Sequence, residues 1–168
     1  QKAVEGISAI ISACDAAGMT SKYAKCSLLA IAGVESMWLY TADENHNYSP
    51  KRLLEIFRNV TPEEAEQWGN PVSKGISKKE FFGWCYGTNQ GRSPAEGQYY
   101  GRGYCQLTLK GNYQAIGKRL GVDLITNPEK VQESAEFGAK VIVEFFKMNI
   151  PNWNQLQWDP GFFQKALE

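Results

Sequence analysis

Apolar residues recur at helical spacing along most of the chain. Val4, Ile7, Ile10 and Ile11 form a first stripe, and Gly18 offers its stop. A second helix is predicted from about Ser21 to Ser36, with Tyr23, Cys26, Leu29, Ala30 and Val34 turned inward. Ser49 before Pro50 and Thr61 before Pro62 each place a capping hydroxyl ahead of a proline at the first helical position, so a helix should follow both. Ser77 and Glu80 have the spacing of a capping box ahead of Phe81, Phe82, Trp84 and Cys85. Further helices are predicted from about Gly111 to Leu120, and from Pro128 to Asn149 with Asn127 as cap and Pro151 as terminator. Asp159 with Pro160 signals one more start.

Two segments break this pattern. "GTNQGRSPAEGQYYGRG", Gly87 to Gly103, holds five glycines and a proline in seventeen residues and predicts a long loop. Loops of that length inside a compact domain tend to be functional. "YCQLTL" after it reads as a short strand or an extended segment. With no internal repeat, low-complexity tract or linker, residues 1–168 read as one mainly α-helical domain with at most a small β element.

Composition narrows the class. A chain of 168 residues with 43% apolar and 21% charged residues can bury a real core and is not disordered. It holds no apolar run of the roughly 18 residues that a membrane span needs. The start on Gln1 and the helical-looking end lead us to expect a domain of a longer polypeptide, without a signal peptide at this start. Net charge is zero, but Lys74, Lys78, Lys79, Arg92, Arg102, Lys110, Lys118 and Arg119 face only Glu80 and Glu96 between Asn70 and Leu120, a local surplus of six. The surplus is read as a solvated face or as attraction to a polyanion such as a bacterial cell wall. A nucleic-acid reader would be basic overall, so nucleic acid is not an expected partner. Cys14, Cys26, Cys85 and Cys105 show no CxxC pair and no zinc spacing. They are read as free, packed thiols, with one or two disulfides as the alternative.

The candidate chemistry begins with two carboxylates. Glu35 ends the apolar run Leu28 to Val34, and Glu44 follows nine residues later among Asp43, Asn45, His46 and Asn47. A carboxyl group in apolar surroundings tends to stay protonated and serve as a general acid, while one in a polar setting stays charged and can activate water. Paired, they make the acid and base of glycoside hydrolysis. The plainer reading leaves Glu35 as a helix-end residue paired with an arginine such as Arg102. A lone His46 is too few ligands for a metal and too few partners for a nucleophilic triad, so no cofactor or metal is expected. Trp38, Tyr40, Tyr48, Tyr86, Tyr99, Tyr100, Tyr104 and Tyr113 fall around these carboxylates and the glycine-rich segment. Aromatic plates with Asn and Gln between them suit a polysaccharide groove, although many of the eight would serve equally as core.

"YYGRGYCQLTLKGNY", Tyr99 to Tyr113, with its Gly-Arg-Gly, Gln-Leu-Thr and Asn-Tyr pattern, resembles the substrate-groove signature of glycoside hydrolase family 19. "IAGVES", "ENHNYSPKRLLEIF" and "GVDLITNPEKV" resemble further stretches of that family, which holds chitinases and chitinase-like lysozymes of bacteriophages. The resemblance implies a lysozyme-like helical domain with its substrate cleft between helical lobes. It implies Glu35 as general acid, Glu44 as general base and Thr108 as the residue that helps to place the attacking water. Gln106 and Asn112 would hold sugar and water, Arg102 would orient a carboxylate, and Trp38, Tyr48, Tyr99 and Tyr113 would contribute to the groove. The short interval between the two Glu is similar to the phage enzymes, which favours peptidoglycan over chitin.

Val34 stands where the family usually has His, and the family's Asn-Gly-Gly segment after the last long helix is missing. The expectation is therefore an inverting peptidoglycan lysozyme, phage-encoded. It would act on cell-wall glycan strands after release at lysis or as part of a virion, where flanking domains would meet other tail components. A chitinase, a lytic transglycosylase and a non-catalytic sugar-binding or tail structural module stay open as alternatives.

Overall fold

The computed structural model describes residues 1–57 and 59–157. Its helices are α1 (Lys2–Ala16), α2 (Lys22–Ser36), α3 (Pro50–Ile56), α4 (Pro62–Trp68), α5 (Lys78–Phe82), α6 (Lys110–Leu120) and α7 (Ala135–Asn149). Most begin where the capping chemistry places them. Ser49 accepts the Arg52 amide, and Thr61 with Glu64 and Ser77 with Glu80 close complete capping boxes. A capping hydroxyl satisfies an amide that the first helical turn leaves unpaired, worth about 1 kcal/mol.

Two apolar cores divide the molecule into lobes. The first joins α1, α2, α6 and α7 through Ile10, Leu28, Ile116, Ile142 and Phe146. The second joins α3, α4, α5 and the π-helical turn Gly83–Gly87 through Leu53, Phe81, Phe82 and Trp84. Residues 37–49 and 100–109 run between the lobes, and the candidate site stands on these two crossings. The mainly α fold is as expected.

Inside and outside are exchanged on α2. The helix buries Ala24, Leu28 and Ala32, a ladder at i, i+4, whereas Cys26, Ala30 and Val34 form the parallel ladder that faces solvent. Both ladders are apolar, so periodicity alone could not choose between them. On α1 the buried ladder is Gly6, Ile10 and Cys14, which leaves Val4 and Ile11 exposed.

The expected loop is largely wound. Thr88–Gln90 and Pro94–Tyr99 are 3₁₀ turns, and the second lies so close on the π turn that a Cβ on Gly97 would meet the Gly83 amide nitrogen at 2.0 Å. Several of its glycines therefore serve close packing rather than flexibility. "YCQLTL" forms a turn closed by isolated bridges of Arg102 to Asp43 and to Leu107, with no strand among the described residues. The single helix expected over Pro128–Asn149 is split. Pro128–Gln132 is 3₁₀, and Ser134 caps α7 by accepting the Phe137 amide. Asp159 and Pro160 lie outside the described residues. All four cysteines are free thiols, and Cys26 is exposed rather than packed.

Gly97→Ala should lower stability by about 1–3 kcal/mol in urea unfolding, the cost of overpacking. Gly111→Ala, where nothing lies within 4 Å of the added methyl, should be neutral or stabilise by up to about 1 kcal/mol. Equal stability of the two variants would contradict the packing described.

Candidate active site

The first crossing starts with a hard turn. After Ser36 the chain enters the left-handed region at Met37 (φ 52°) and Trp38 (φ 58°), which turns the Trp38 indole back over its own helix. Its Nε1–H donates to the Leu29 carbonyl at 2.9 Å, and the ring lies where a Gly33 side chain would stand. Trp38 is thus a brace for the end of α2, with its polar atom already committed.

Glu35 sits on the last turn of α2 and is exposed, beside Val34 (74% accessible) and Met37 (68%). The apolar pocket expected for it is absent because the helix presents its other ladder to the core. Nor is it paired with Arg102, since Glu35 makes no ion pair among the described residues. It does lie near the second crossing: its charge acts on the Cys105 thiol, which burial chiefly pushes up to about 12.

Glu44 is held from two sides. Its amide donates to the Gly101 carbonyl at 2.9 Å, and the Gly101 amide donates to Glu44 Oε2 at 2.7 Å. On the other carboxylate oxygen, the Tyr86 hydroxyl donates to Oε1 at 2.5 Å. Burial, then the Glu44 carboxylate, push the Tyr86 hydroxyl far above the ordinary tyrosine range, so it stays a donor at any working pH. Tyr86 stacks on Phe82, which stacks on Tyr100 with ring centroids 5.1 Å apart, and the Arg102 guanidinium lies 3.6 Å from the Tyr100 ring centre. Lys78 reaches over the same ring and pairs with Asp43 at 2.5 Å. That pair is part-exposed and contributes only about 0.2–1 kcal/mol. The sheltered Tyr86 and Gly101 contacts hold Glu44 more firmly, as hydrogen bonds to a charged group contribute roughly 1.5–3 kcal/mol.

Three oxygens converge over Gly101. The position that a side chain would take there lies 2.9 Å from Gln106 Oε1, 3.1 Å from Glu44 Oε2 and 3.3 Å from Thr108 Oγ1. Their other contacts fix what they can offer. Gln106 gives its Nε2–H to the Gly103 carbonyl, and Thr108 gives its hydroxyl proton to the Gln106 carbonyl at 2.6 Å. Toward Gly101 the three groups therefore present acceptors. Gln106 (φ 48°) and Leu109 (φ 73°) bracket Thr108 in strained backbone, as Met37 and Trp38 follow Glu35. Such strain persists where the surroundings over-determine it, and it clusters at functional sites.

The remaining expected residues are support or lie nearby. Arg102 is 6% accessible, gives its Nη1 protons to the Gln98 carbonyl and the Tyr113 hydroxyl, and orients no carboxylate among the described residues. Tyr113 is fully buried and donates to the Tyr100 carbonyl, while buried Tyr99 donates to the Ile125 carbonyl. These three cannot face a ligand in this structure, because the backbone they hold in place encloses them. Asn112 gives its Nδ2–H to the Thr108 carbonyl, and half-buried Tyr48 stacks on Phe81. His46 lies edge-on to Phe81, and burial with the Lys78 charge lowers its pKa. Among the described residues no three His, Cys, Asp or Glu side chains gather as a metal site. Of the basic surplus, Lys78, Lys110 and Arg119 are ion-paired and Arg102 is buried, which dilutes any polyanion face.

Tyr86, one of the aromatics that the sequence places around the carboxylates, turns out to hold Glu44 rather than to line a groove, a role that its spacing of four from Phe82 does not specify. Gly101→Ala should keep the fold but crowd Glu44, Gln106 and Thr108, and a shift of about 1 Å at a reacting group can cost 10²-fold in rate. A variant with turnover on cell-wall glycan or chitin unchanged from wild type would contradict this geometry.

Comparisons with known proteins follow the same lines. Residues 58–156 match a family model described as chitinase class I. A glycosyl hydrolase family 19 domain-containing protein of Haemophilus influenzae is 31% identical over 146 residues, 86% of this chain and 72% of that protein. A match of that length takes in Glu35 and Glu44 wherever it starts. Chitinase 8 of rice is 40% identical over 76 residues, and the acidic 27 kDa endochitinase of tomato is 33% identical over 85. The chain spans only 28% and 34% of the lengths of those two plant enzymes. On the family match and the extent of the Haemophilus likeness, the chain belongs to glycoside hydrolase family 19.

Proposed function

We propose that the chain is an inverting glycoside hydrolase that cuts β-1,4 bonds of bacterial cell-wall glycan. The observation that carries the reading is the acceptor cradle over Gly101, with the Glu44 carboxylate as one of its walls. A water held in front of these oxygens, clear of the Gly101 Cα, can give its two protons to two of them, one being Glu44, and keep a lone pair free for attack. Glu44 takes up a proton as the oxygen attacks the anomeric carbon, in the role of general base. Thr108 and Gln106 orient the water, and the Tyr86 hydroxyl and Gly101 amide stabilise Glu44 and fix its direction. Glu35, on the solvent-facing end of α2, is assigned the acid that protonates the leaving oxygen. Contact with a bound glycan would supply the water-poor surroundings that the free protein lacks there. An inverting pair needs a carboxylate gap of about 6.5–9.5 Å to admit the water.

Peptidoglycan is preferred over chitin on the nine-residue interval between the two Glu and the likeness to a bacterial protein over most of the chain. The plant chitinase relatives favour the second reading, hydrolysis of chitin. In the preferred reading the enzyme is phage-encoded and reaches the wall on release at lysis or as part of a virion, where flanking domains would contact tail components.

Purified peptidoglycan, incubated with wild type, Glu35→Gln and Glu44→Gln, should yield reducing-end disaccharide products from wild type by mass spectrometry. Each variant should lose about 10²–10⁴-fold in rate. Wild-type products from chitin alone would move the assignment to a chitinase. Anhydro ends, with Glu44→Gln still active, would replace hydrolysis by a transglycosylase, and no products from a folded wild type would favour a binding module.

A further inference from the structure

A groove on the second lobe is separate from the two crossings. Its aromatic floor is the half-buried Trp68, stacked on the core residue Trp84 with ring centroids 5.2 Å apart and nearly parallel at 7°. Trp68, at the end of α4, also separates two hollows of about 580 and 150 Å³ that share Gln67, Trp68 and Glu80. The larger continues past Gly83 and Trp84 to Thr88 and Ala95. Around this floor Gln67, Lys79 and Thr88 are exposed, and their side chains make no hydrogen bond or ion pair among the described residues. On the same lining Glu64 and Glu80 are held in capping boxes, and nearby Lys74 is held by the carbonyls of Glu66 and Gln67.

We infer that this groove is an accessory glycan-binding site, which seats two or three sugar units of the polysaccharide beside the cleaved strand. An aromatic floor meets the C–H faces of pyranose rings, and a rim of uncommitted amide, ammonium and hydroxyl groups meets their hydroxyls. The larger hollow falls within the roughly 300–1,000 Å³ of ordinary ligand sites. A protein partner would be met by a broader apolar face, whereas here a single indole is flanked by Gln67, Lys79 and Thr88. The groove is also tied to the candidate active site. Trp84 and Tyr86 belong to one five-residue turn, Gly83–Gly87, so the buried ring on which Trp68 stacks stands two residues from the side chain that holds Glu44. A strand anchored there keeps the polymer next to the crossings. The inference rests on the glycan-hydrolase reading.

Ala95→Trp fills the groove from its exposed rim and leaves the Trp68–Trp84 stack in place. It should bind insoluble peptidoglycan about five- to tenfold more weakly than wild type, the scale of one lost aromatic contact. Cleavage of a soluble tetrasaccharide should stay unchanged. The double variant Gln67→Ala/Lys79→Ala, changed only at exposed helical positions, should show the same selective loss. Titration of Glu44→Gln with the β-1,4 tetramer of N-acetylglucosamine should shift the Trp68 indole N–H signal in NMR, and Ala95→Trp in that background should abolish the shift. A Trp68 shift in a protein that cuts nothing would uphold the groove and remove the hydrolase. An unmoved Trp68 signal, or polymer binding by both variants equal to wild type, would overturn the groove whatever the activity.

Discussion

The reciprocal pairing of Glu44 with Gly101 is the contact on which the site depends. The Glu44 amide donates to the Gly101 carbonyl and the Gly101 amide to the Glu44 carboxylate, so the first crossing is tied to the second by two hydrogen bonds at one glycine. The absence of a side chain at Gly101 lets the backbone approach Glu44, and it lets Glu44, Gln106 and Thr108 close in where a Cβ would crowd them. Everything behind it is bracing. Tyr86 fixes the second carboxylate oxygen, Phe82 and Tyr100 fix Tyr86, and Arg102 lies on Tyr100 while it donates to the Gln98 carbonyl before the turn and the Tyr113 hydroxyl after it. A buried guanidinium with carbonyl partners, rather than an ion pair, is what makes Gly-Arg-Gly a structural element here.

The two carboxylates differ in how they are held. Glu44 is clamped between lobes, with both oxygens engaged. Glu35 stands free on the end of a helix whose next residues are strained into the left-handed region and pinned by Trp38. In the proposed reading, a firmly held base and an exposed acid suit a reaction in which the water must be aimed before the substrate arrives, whereas the leaving oxygen arrives with the substrate. On that reading the exposed Val34 and Met37 beside Glu35 would become apolar cover once a sugar lay against them.

Much of the local structure was legible in the sequence because it is decided locally. Ser49 with Pro50, Thr61 with Glu64 and Ser77 with Glu80 announce helix starts by hydrogen bonds that reach three residues at most. What depended on tertiary choice was not legible. The α2 ladder Cys26, Ala30 and Val34 is as apolar as Ala24, Leu28 and Ala32, and only docking onto the first core selects the second. That single choice exposes Glu35. The glycine-rich segment misled for a related reason: Gly97 is required by the Gly83 backbone beside it, a partner invisible in local composition. At the site, the Gln-Leu-Thr motif marks Gln106 and Thr108, and the aromatic pattern places Tyr86 near the carboxylates, but its hold on Glu44 exists only because Glu44 is folded against it.

The central claim is that Glu44 aims a water at the anomeric carbon from the face opposite the leaving group. The stereochemistry of the first product tests this most directly. Proton NMR spectra, recorded within minutes of adding enzyme to a β-1,4-linked oligosaccharide it cleaves, should show the α-anomer at the new reducing end, which then mutarotates to the equilibrium mixture. A β-anomer at the earliest time point, or a 1,6-anhydro end, would contradict the account and remove Glu44 from the role of base.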